Sequence, residues 1–203
     1  VRTRKVGKPK ELNLFHLVDE INNGTNPQSR AAARAGCRLI GLWKDDSTRP
    51  ALESIAKSKR ETDPVDRAAA LEGIALFGDA KAKEFLAGLC GGETPVEVRK
   101  LALASLASID TAAASAKAAE FLASPDAKDD LTELYNSFIS KKGGAAALAK
   151  ALDGKKLTAD VAKLGVRAIK SAAVQDAGVL EAALAKAGSL GAAKKEPTPD
   201  EVK

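Results

Sequence analysis

The chain has few of the residues on which most enzymes and metal sites depend. Its 203 residues include one histidine, two cysteines and no methionine, and aromatic residues make up 3%. Because His16 stands alone, catalytic schemes and metal sites that need two histidines are excluded within this chain. Cys37 and Cys90 lie far apart and outside any CxxC or CxxCH motif, which argues against a zinc site, a covalent heme and a disulfide. We therefore predict no catalytic, metal or cofactor residue and expect a chain that is not an enzyme.

Long hydrophobic runs and a broad excess of charge are also missing. No stretch approaches the roughly 20 apolar residues of a membrane span, so we expect none. The net charge of +5 is carried by the first ten residues, a predicted basic and disordered lead-in that contains Arg2, Arg4, Lys5, Lys8 and Lys10. A neutral remainder with one Trp and one Tyr disfavours nucleic-acid binding, because it offers neither a phosphate-binding stripe nor stacking platforms. Binding of nucleic acid through residues 1–10 stays an alternative.

What the chain does have is well-marked helices. Residues 62–80, TDPVDRAAALEGIALFGDA, carry the signals of a complete one. Asp63 can cap the first amides, Pro64 fits the first turn, and Gly78 permits a left-handed end. Between these signals, apolar residues recur every three or four positions over a wide arc. Such a helix needs neighbours on more than one side.

Copies of this helix recur with a period in the thirties. Three copies align on an arginine and the apolar residue seven places later: Arg30 with Cys37, Arg67 with Ile74, and Arg99 with Leu106. A fourth copy has Leu131 and Phe138 in these places, and a fifth aligns Val161 with Val98 and Ile169 with Leu106. In this register Cys37 should be a buried thiol. A second apolar helix follows each copy, and no segment shows the alternation of a strand. The pattern predicts an all-α fold, an α-solenoid of about five helical hairpins.

A further helix precedes the first hairpin and is predicted to cap it. The segment ELNLFHLVDEINN, residues 11–23, has five apolar residues that we expect to face inward: Leu12, Phe15, Leu17, Val18 and Ile21. Residues 11–190 are expected to form one repeat domain, because the core of a solenoid grows along its axis. Residues 191–203 are interpreted as a linker and the start of a further helix, since TPDEVK at 198–203 matches TPVEVR at 94–99. We therefore expect the chain to be a piece of a longer protein.

Two segments carry a resemblance to a known family. PVDRAAALEGIALFGDAKAKEFLAGL at 64–89 and PVEVRKLALASLASID at 95–110 resemble HEAT repeats of the short HEAT-like, or PBS-lyase, type. The resemblance covers about residues 25–190. It implies a non-catalytic scaffold that mediates protein–protein or interdomain contact. It also implies that four residues form structural polar links between neighbouring repeats: Arg67, Arg99, Asp79 and Asp110.

A narrower resemblance provides an alternative function. Ala-rich HEAT units followed by a Lys/Pro-rich joint, GAAKKEPTPDEVK at 191–203, look like the HEAT segment of large secreted planctomycete and verrucomicrobial proteins. In those proteins a propeller precedes the HEAT segment and a cytochrome c domain follows it. The resemblance implies a periplasmic or secreted spacer in a heme c-containing electron-transfer oxidoreductase, whose cofactor domain would lie outside this chain.

Trp43, the single tryptophan, is expected to follow the turn of the first repeat. It can cover the apolar end of that repeat, or it can anchor a partner, because Trp is enriched at protein interfaces. With Arg34 and Arg38, which precede it in the sequence, it forms the candidate partner contact. The expected partner is a protein or an adjacent domain of the same polypeptide.

Overall fold

The computed structural model describes residues 7–23, 26–58, 63–128, 130–172 and 177–191, apart from the side chains at 17, 22 and 23. Within these ranges the chain forms eleven α-helices and no strand. The helices are α1 Leu14–Asn23, α2 Pro27–Trp43, α3 Arg49–Lys57, α4 Pro64–Phe77, α5 Ala80–Gly88, α6 Val96–Ala107, α7 Thr111–Leu122, α8 Thr132–Ile139, α9 Gly144–Ala151, α10 Ala159–Ala172 and α11 Gly178–Ala187. The predicted all-α fold is confirmed, and it is consistent with an α-solenoid.

After α1, the helices follow as five pairs: α2 with α3, α4 with α5, α6 with α7, α8 with α9, and α10 with α11. Local signals set their ends, as α4 illustrates. Asp63 accepts a hydrogen bond from the amide of Val65, Pro64 is the first helical residue, and Gly78 closes the helix at φ 64°. A side chain is disfavoured at that φ, so glycine fits the position. The hairpins thus begin and end where capping chemistry allows.

The inward face of α1 differs from the prediction. Leu14, Val18 and Ile21 are buried, at 1%, 1% and 6% exposure, whereas Phe15 is 52% exposed and Leu12 is 36% exposed. The three buried residues follow a spacing of four and three and form one stripe. Phe15 is turned about 100° away from Leu14, and Leu12 precedes the helix. The inward assignment of Phe15 and Leu12 was therefore wrong, and the side chain of Leu17 lies outside the described residues.

The chain divides into two compact units, with the boundary inside α7 between Ala114 and Ser115. We call them the N-terminal unit and the C-terminal unit. In the N-terminal unit α1 packs on α2 and α3, α2 packs on α4, and α4 packs on α6; in the C-terminal unit α8 packs on α10 and α9 on α11. The single domain at 11–190 stays a prediction. Of the lead-in, residues 7–10 are described and exposed, and Lys8 contacts Asp45; the predicted helix start at 198–203 lies outside the described residues.

Candidate functional site

The two turn aspartates that were predicted as repeat links each bind a basic side chain of the preceding hairpin. Asp79 accepts hydrogen bonds from Arg49 of α3, at 3.1 Å from Nη1 and 2.5 Å from Nη2. Asp110 lies 3.1 Å from Nζ of Lys83 on α5. Each aspartate also accepts a hydrogen bond from a backbone amide of the second helix that it precedes, at 2.8 and 3.0 Å. Both therefore connect consecutive second helices, α3 to α5 and α5 to α7.

Arg49, which the sequence interpretation did not single out, is the more buried partner in the first of these links. It is 6% exposed, its guanidinium stacks over the ring of Phe77 at 3.8 Å, and its Nε donates to Asp46 at 2.9 Å. The hydrogen bonds to Asp79 raise the pKa of Arg49. Those from Arg49, in turn, lower the pKa of Asp79 from 3.8 to about 2. A charged, bidentate pair on an aromatic face is suited to a structural role.

The arginines of the first helices have other partners. Arg67 donates from Nη2 to the backbone oxygen of Ser58 at 2.8 Å, which joins α4 to the end of α3. Arg99 is 5% exposed and interacts within the chain. Asp79 pairs with Arg49 rather than with Arg67. The link role implied for Arg67, Arg99, Asp79 and Asp110 stays a prediction.

The candidate partner contacts lie near α4. Arg34 donates from Nε to Asp66 at 2.5 Å, and Arg38 donates from Nε to Glu72 at 2.6 Å. Because both carboxylates belong to α4, these arginines connect α2 to its neighbour. Trp43 is half-buried at the end of α2 and also interacts within the chain. The assignment of Trp43, Arg34 and Arg38 to partner binding stays a prediction.

Asp66 is the centre of the polar contact between α2 and α4. Its side chain is fully buried, and it accepts hydrogen bonds from Arg34 and from Nη2 of Arg30. The bond to Asp66 is the main reason that the pKa of Arg34 is raised. An acid in the first turn of a helix is ordinary on a surface, so Asp66 attracted no attention in the sequence. The available signal was the spacing of Arg30 and Arg34, which places two cations on one face of α2.

Two glycines bring the backbones of α2 and α4 together beside this cluster. A Cβ atom at Gly41 would lie 2.0 Å from the backbone oxygen of Gly73, and one at Gly73 would lie 2.3 Å from that of Cys37. Cys37 is fully buried, which confirms the predicted burial, and desolvation raises the pKa of its thiol to about 12. Cys37 and Cys90 are both free thiols. A thiol so shielded is inert, so this contact is structural.

In the C-terminal unit, a groove of about 1200 Å³ lies between α9 and α11. Its lining contains both small apolar side chains and basic side chains. The alanines that line it are Ala146, Ala149, Ala182, Ala183 and Ala187, and its lysines are Lys150, Lys155, Lys156 and Lys186. Val179, also in the lining, is 62% exposed. We call this feature the α9–α11 groove, and it combines accessible apolar surface with a basic rim.

The described part of the chain offers neither a cluster of metal ligands nor a membrane-spanning helix. Among the residues that the structure describes, no group of three or more His, Cys, Asp or Glu side chains is placed to hold a metal ion. His16 is exposed and contacts Phe15 edge to face, with ring centroids 6.2 Å apart. Within the described ranges, every helix is too short or too polar to cross a bilayer.

Comparison with protein families identifies HEAT repeats at residues 16–107 and again at 59–139. Together the two matches cover residues 16–139, which is more than half of the chain. Comparisons with curated proteins and with solved structures found no match. HEAT repeats generally serve as protein-interaction scaffolds and are typically non-catalytic. On the matched residues and the paired helices, this chain belongs to the HEAT-repeat family.

Proposed function

We propose that the chain is a non-catalytic α-helical scaffold that binds a protein partner, or an adjacent domain of the same polypeptide, on the surface of its second helices. The α9–α11 groove carries this proposal. At about 1200 Å³ it exceeds the usual size of a small-molecule pocket, which is roughly 300 to 1000 Å³. Exposed Ala146, Ala182 and Val179 beside exposed lysines make a surface that a protein can cover.

The polar contacts of the N-terminal unit fit the same function. A scaffold must hold its repeats in a fixed arrangement, and we propose that Asp79, Asp110, Arg67 and Arg99 serve that purpose. We propose Trp43 and Arg38 as a second surface for the partner, because the side chain of Arg38 is 45% exposed. Arg34 would have to leave buried Asp66 to reach a partner, so its proposed part is to position Arg38 on the same helix face.

Site-specific photocrosslinking tests the scaffold function. One variant carries benzoylphenylalanine in place of Lys155 on the groove rim, and a matched variant carries it in place of Lys128, which is exposed and outside the groove. In an extract of the source cells, we expect the crosslinker at 155 to give a discrete protein adduct that an excess of unmodified chain suppresses. We expect no such adduct from position 128. Equal adducts from both positions, or none from 155, would contradict the proposal.

The heme-associated alternative stays a prediction, as does the periplasmic or secreted location. It rests on the joint at 191–203, of which residues 192–203 lie outside the described part of the chain. Sequencing the gene beyond the codon for Lys203 tests it. A downstream CxxCH motif would support a heme c domain, whereas further HEAT units or a stop codon would contradict it.

A further inference from the structure

The α11 wall of the groove changes from apolar to basic along the helix. Val179, Ala182, Ala183 and Lys186 line the groove. These positions follow the spacing of three, four and seven residues that places side chains on one helix face. Val179 is near the start of α11 and Lys186 is in its last turn. One end of the wall therefore offers apolar surface and the other offers a cation.

The α9 wall has the same arrangement. Ala146, Ala149, Lys150 and Asp153 line the groove at the same three, four and seven spacing. Ala146 is exposed near the start of α9, and Lys150 is in the last turn. Asp153 and Lys186 lie 3.0 Å apart, so the basic residues of the two walls are near one end of the groove, where Leu157 and Ala187 also line it.

The basic end carries more positive charge than the groove itself neutralises. Among the described residues of the lining, Asp153 is the one acid, and it pairs with Lys186 at 3.0 Å. Lys150, Lys155 and Lys156 add three further cations, each exposed. A partner with carboxylates at this end would meet complementary charge, which favours both its encounter and its register.

We propose that the α9–α11 groove binds an acidic amphipathic α-helix of a protein partner. The small apolar side chains of that helix contact the alanines and Val179, and its carboxylates contact the lysines. Small side chains on both walls allow a third helix to approach closely, because contact residues set the distance between helix axes. An amphipathic helix that binds in a groove presents its apolar anchors at spacings of three, four and seven residues. The proposal rests on the scaffold function and names the partner class of its groove.

The composition of the groove favours an acidic helix over a nucleic acid. Stacking of bases uses aromatic or arginine side chains, and base edges are read mainly by Arg, Asn and Gln. The part of the lining that the structure describes contains none of these residue types. The lysines alone could attract phosphates, but burial of the exposed Val179 and of the alanines favours an apolar helix face.

Fluorescence anisotropy with designed peptides tests the proposal on the full chain. The probe is a labelled peptide of 18 or so residues, helical, with Ala and Leu on one face and Glu elsewhere, long enough for the groove. One control replaces every Glu with Lys, and a second scrambles the sequence so that the apolar face is lost. We expect the probe to bind about tenfold more tightly than either control, a change that two favourable ion pairs and one buried face can supply.

Charge reversal in the protein provides the matching test. Lys150→Glu with Lys156→Glu should weaken binding of the acidic probe about tenfold. The control pair Lys128→Glu with Lys142→Glu, exposed and outside the groove, should leave it unchanged. Far-UV circular dichroism verifies that each variant is folded.

Several results would overturn the proposal. They are no binding of the acidic probe, equal binding of the lysine or scrambled control, an unchanged affinity after reversal at 150 and 156, or equally tight binding of a DNA duplex. The outcome is distinguishable from failure of the scaffold function. A photocrosslinked partner that meets position 155 through a neutral or basic segment would end this inference and leave the scaffold intact.

Discussion

The N-terminal and C-terminal units of the molecule use their charged residues differently. In the N-terminal unit two of the polar contacts between hairpins have a shielded member: the side chain of Asp66 is fully buried, and that of Arg49 is 7% exposed, whereas Arg38 and Glu72 are 45% and 49% exposed. In the C-terminal unit the pair between Lys186 and Asp153 is 79% and 76% exposed. Exposed pairs contribute little to stability, whereas a buried carboxylate depends on its cations. The described part of the first unit therefore has shielded charges that hold hairpins together, whereas the pair between hairpins in the second unit is accessible.

The family match covers the N-terminal unit from residue 16 and residues 115–139 of the C-terminal unit. The matched residues end at 139, and the first-helix arginine occurs in the first three hairpins, as Arg30, Arg67 and Arg99. In the C-terminal unit the contact between first helices is made instead by Tyr135, whose hydroxyl donates to the backbone oxygen of Val161 at 3.0 Å. The first helices are thus joined through arginine and carboxylate in the first hairpins and through a neutral hydrogen bond between α8 and α10.

The chain contains its own probe for each unit. Trp43, the single tryptophan, lies in the N-terminal unit, and Tyr135, the single tyrosine, lies in the C-terminal unit. Urea unfolding followed by tryptophan fluorescence and by tyrosine absorbance therefore reports on the two units separately. The following predictions use these signals, from the largest expected effect to the smallest.

Truncation of the apolar core should cost the same in both units. Leu106→Ala in the N-terminal unit and Leu180→Ala in the C-terminal unit each remove a fully buried side chain. We expect each to lower the free energy of unfolding by about 2 to 5 kcal/mol, because it leaves a cavity. Trp43 fluorescence measures the first change and Tyr135 absorbance the second. A loss below about 0.5 kcal/mol for either would mean that the core is placed wrongly.

Glycine substitutions should separate backbone contact from side-chain contact. Gly73→Ala drives its new Cβ atom against the backbone oxygen of Cys37, which cannot move aside. Gly165→Ala meets side-chain atoms of Leu184 and Tyr135, at 2.7 and 2.8 Å, which can shift. We expect losses of about 3 kcal/mol for Gly73→Ala and about 1 kcal/mol for Gly165→Ala in urea unfolding. Equal losses would contradict the backbone contact between α2 and α4.

Removal of the Tyr135 hydroxyl tests the neutral contact of the C-terminal unit. Tyr135→Phe keeps the buried ring and deletes the hydrogen bond to Val161. We expect a loss of about 1 kcal/mol, measured by circular dichroism because the variant lacks the tyrosine signal. A variant as stable as the parent would show that this hydrogen bond does not join α8 to α10.

The Arg49–Asp79 pair should make stability depend on acid. Because the pKa of Asp79 is lowered to about 2, its ionised form stabilises the fold above pH 4, and that contribution is lost as the pH falls towards 2. Asp79→Asn retains the cap but removes the charge. Allowing for 43% exposure of the side chain, we expect a loss of about 1 kcal/mol at pH 7 and a much smaller loss at pH 2, by Trp43 fluorescence. A loss that does not change with pH would contradict the pair.

The helix ends could be predicted because they depend on neighbouring residues. The contacts between helices were harder to predict because they join residues that are far apart in the sequence. Asp63, Pro64 and Gly78 mark the ends of α4 through bonds that span a few residues, so the sequence alone placed it. The partner of Asp79 lies 30 residues away on α3. A periodic pattern does not show which basic side chain of one hairpin will contact an aspartate of the next. Arg49 was therefore not predicted as the partner of Asp79. Phe15 was assigned inward because an apolar residue count cannot show which stripe of α1 its neighbours cover.

The α9–α11 groove was beyond prediction for a related reason. Alanines recur throughout the second helices, and whether they are buried or line a groove depends on how closely two helices approach. The sequence indicated apolar faces correctly, and the buried Leu148 and Leu180 follow them. From the sequence alone, the rest of each helix, including Lys150 and Lys186, was predicted to be ordinary solvent-exposed surface.

The most direct test compares one buried charge with two accessible ones in a single urea experiment. Asp66→Asn removes the carboxylate that Arg30 and Arg34 share, and we expect it to lower the free energy of unfolding of the N-terminal unit by about 3 kcal/mol. The double variant Lys150→Gln with Lys156→Gln should leave the free energy of unfolding of the C-terminal unit unchanged. In the anisotropy assay it should no longer bind the acidic peptide more tightly than the lysine control. A stable Asp66→Asn variant, or a lysine variant that unfolds as readily as Asp66→Asn should, would contradict the division between structural and partner-facing charges.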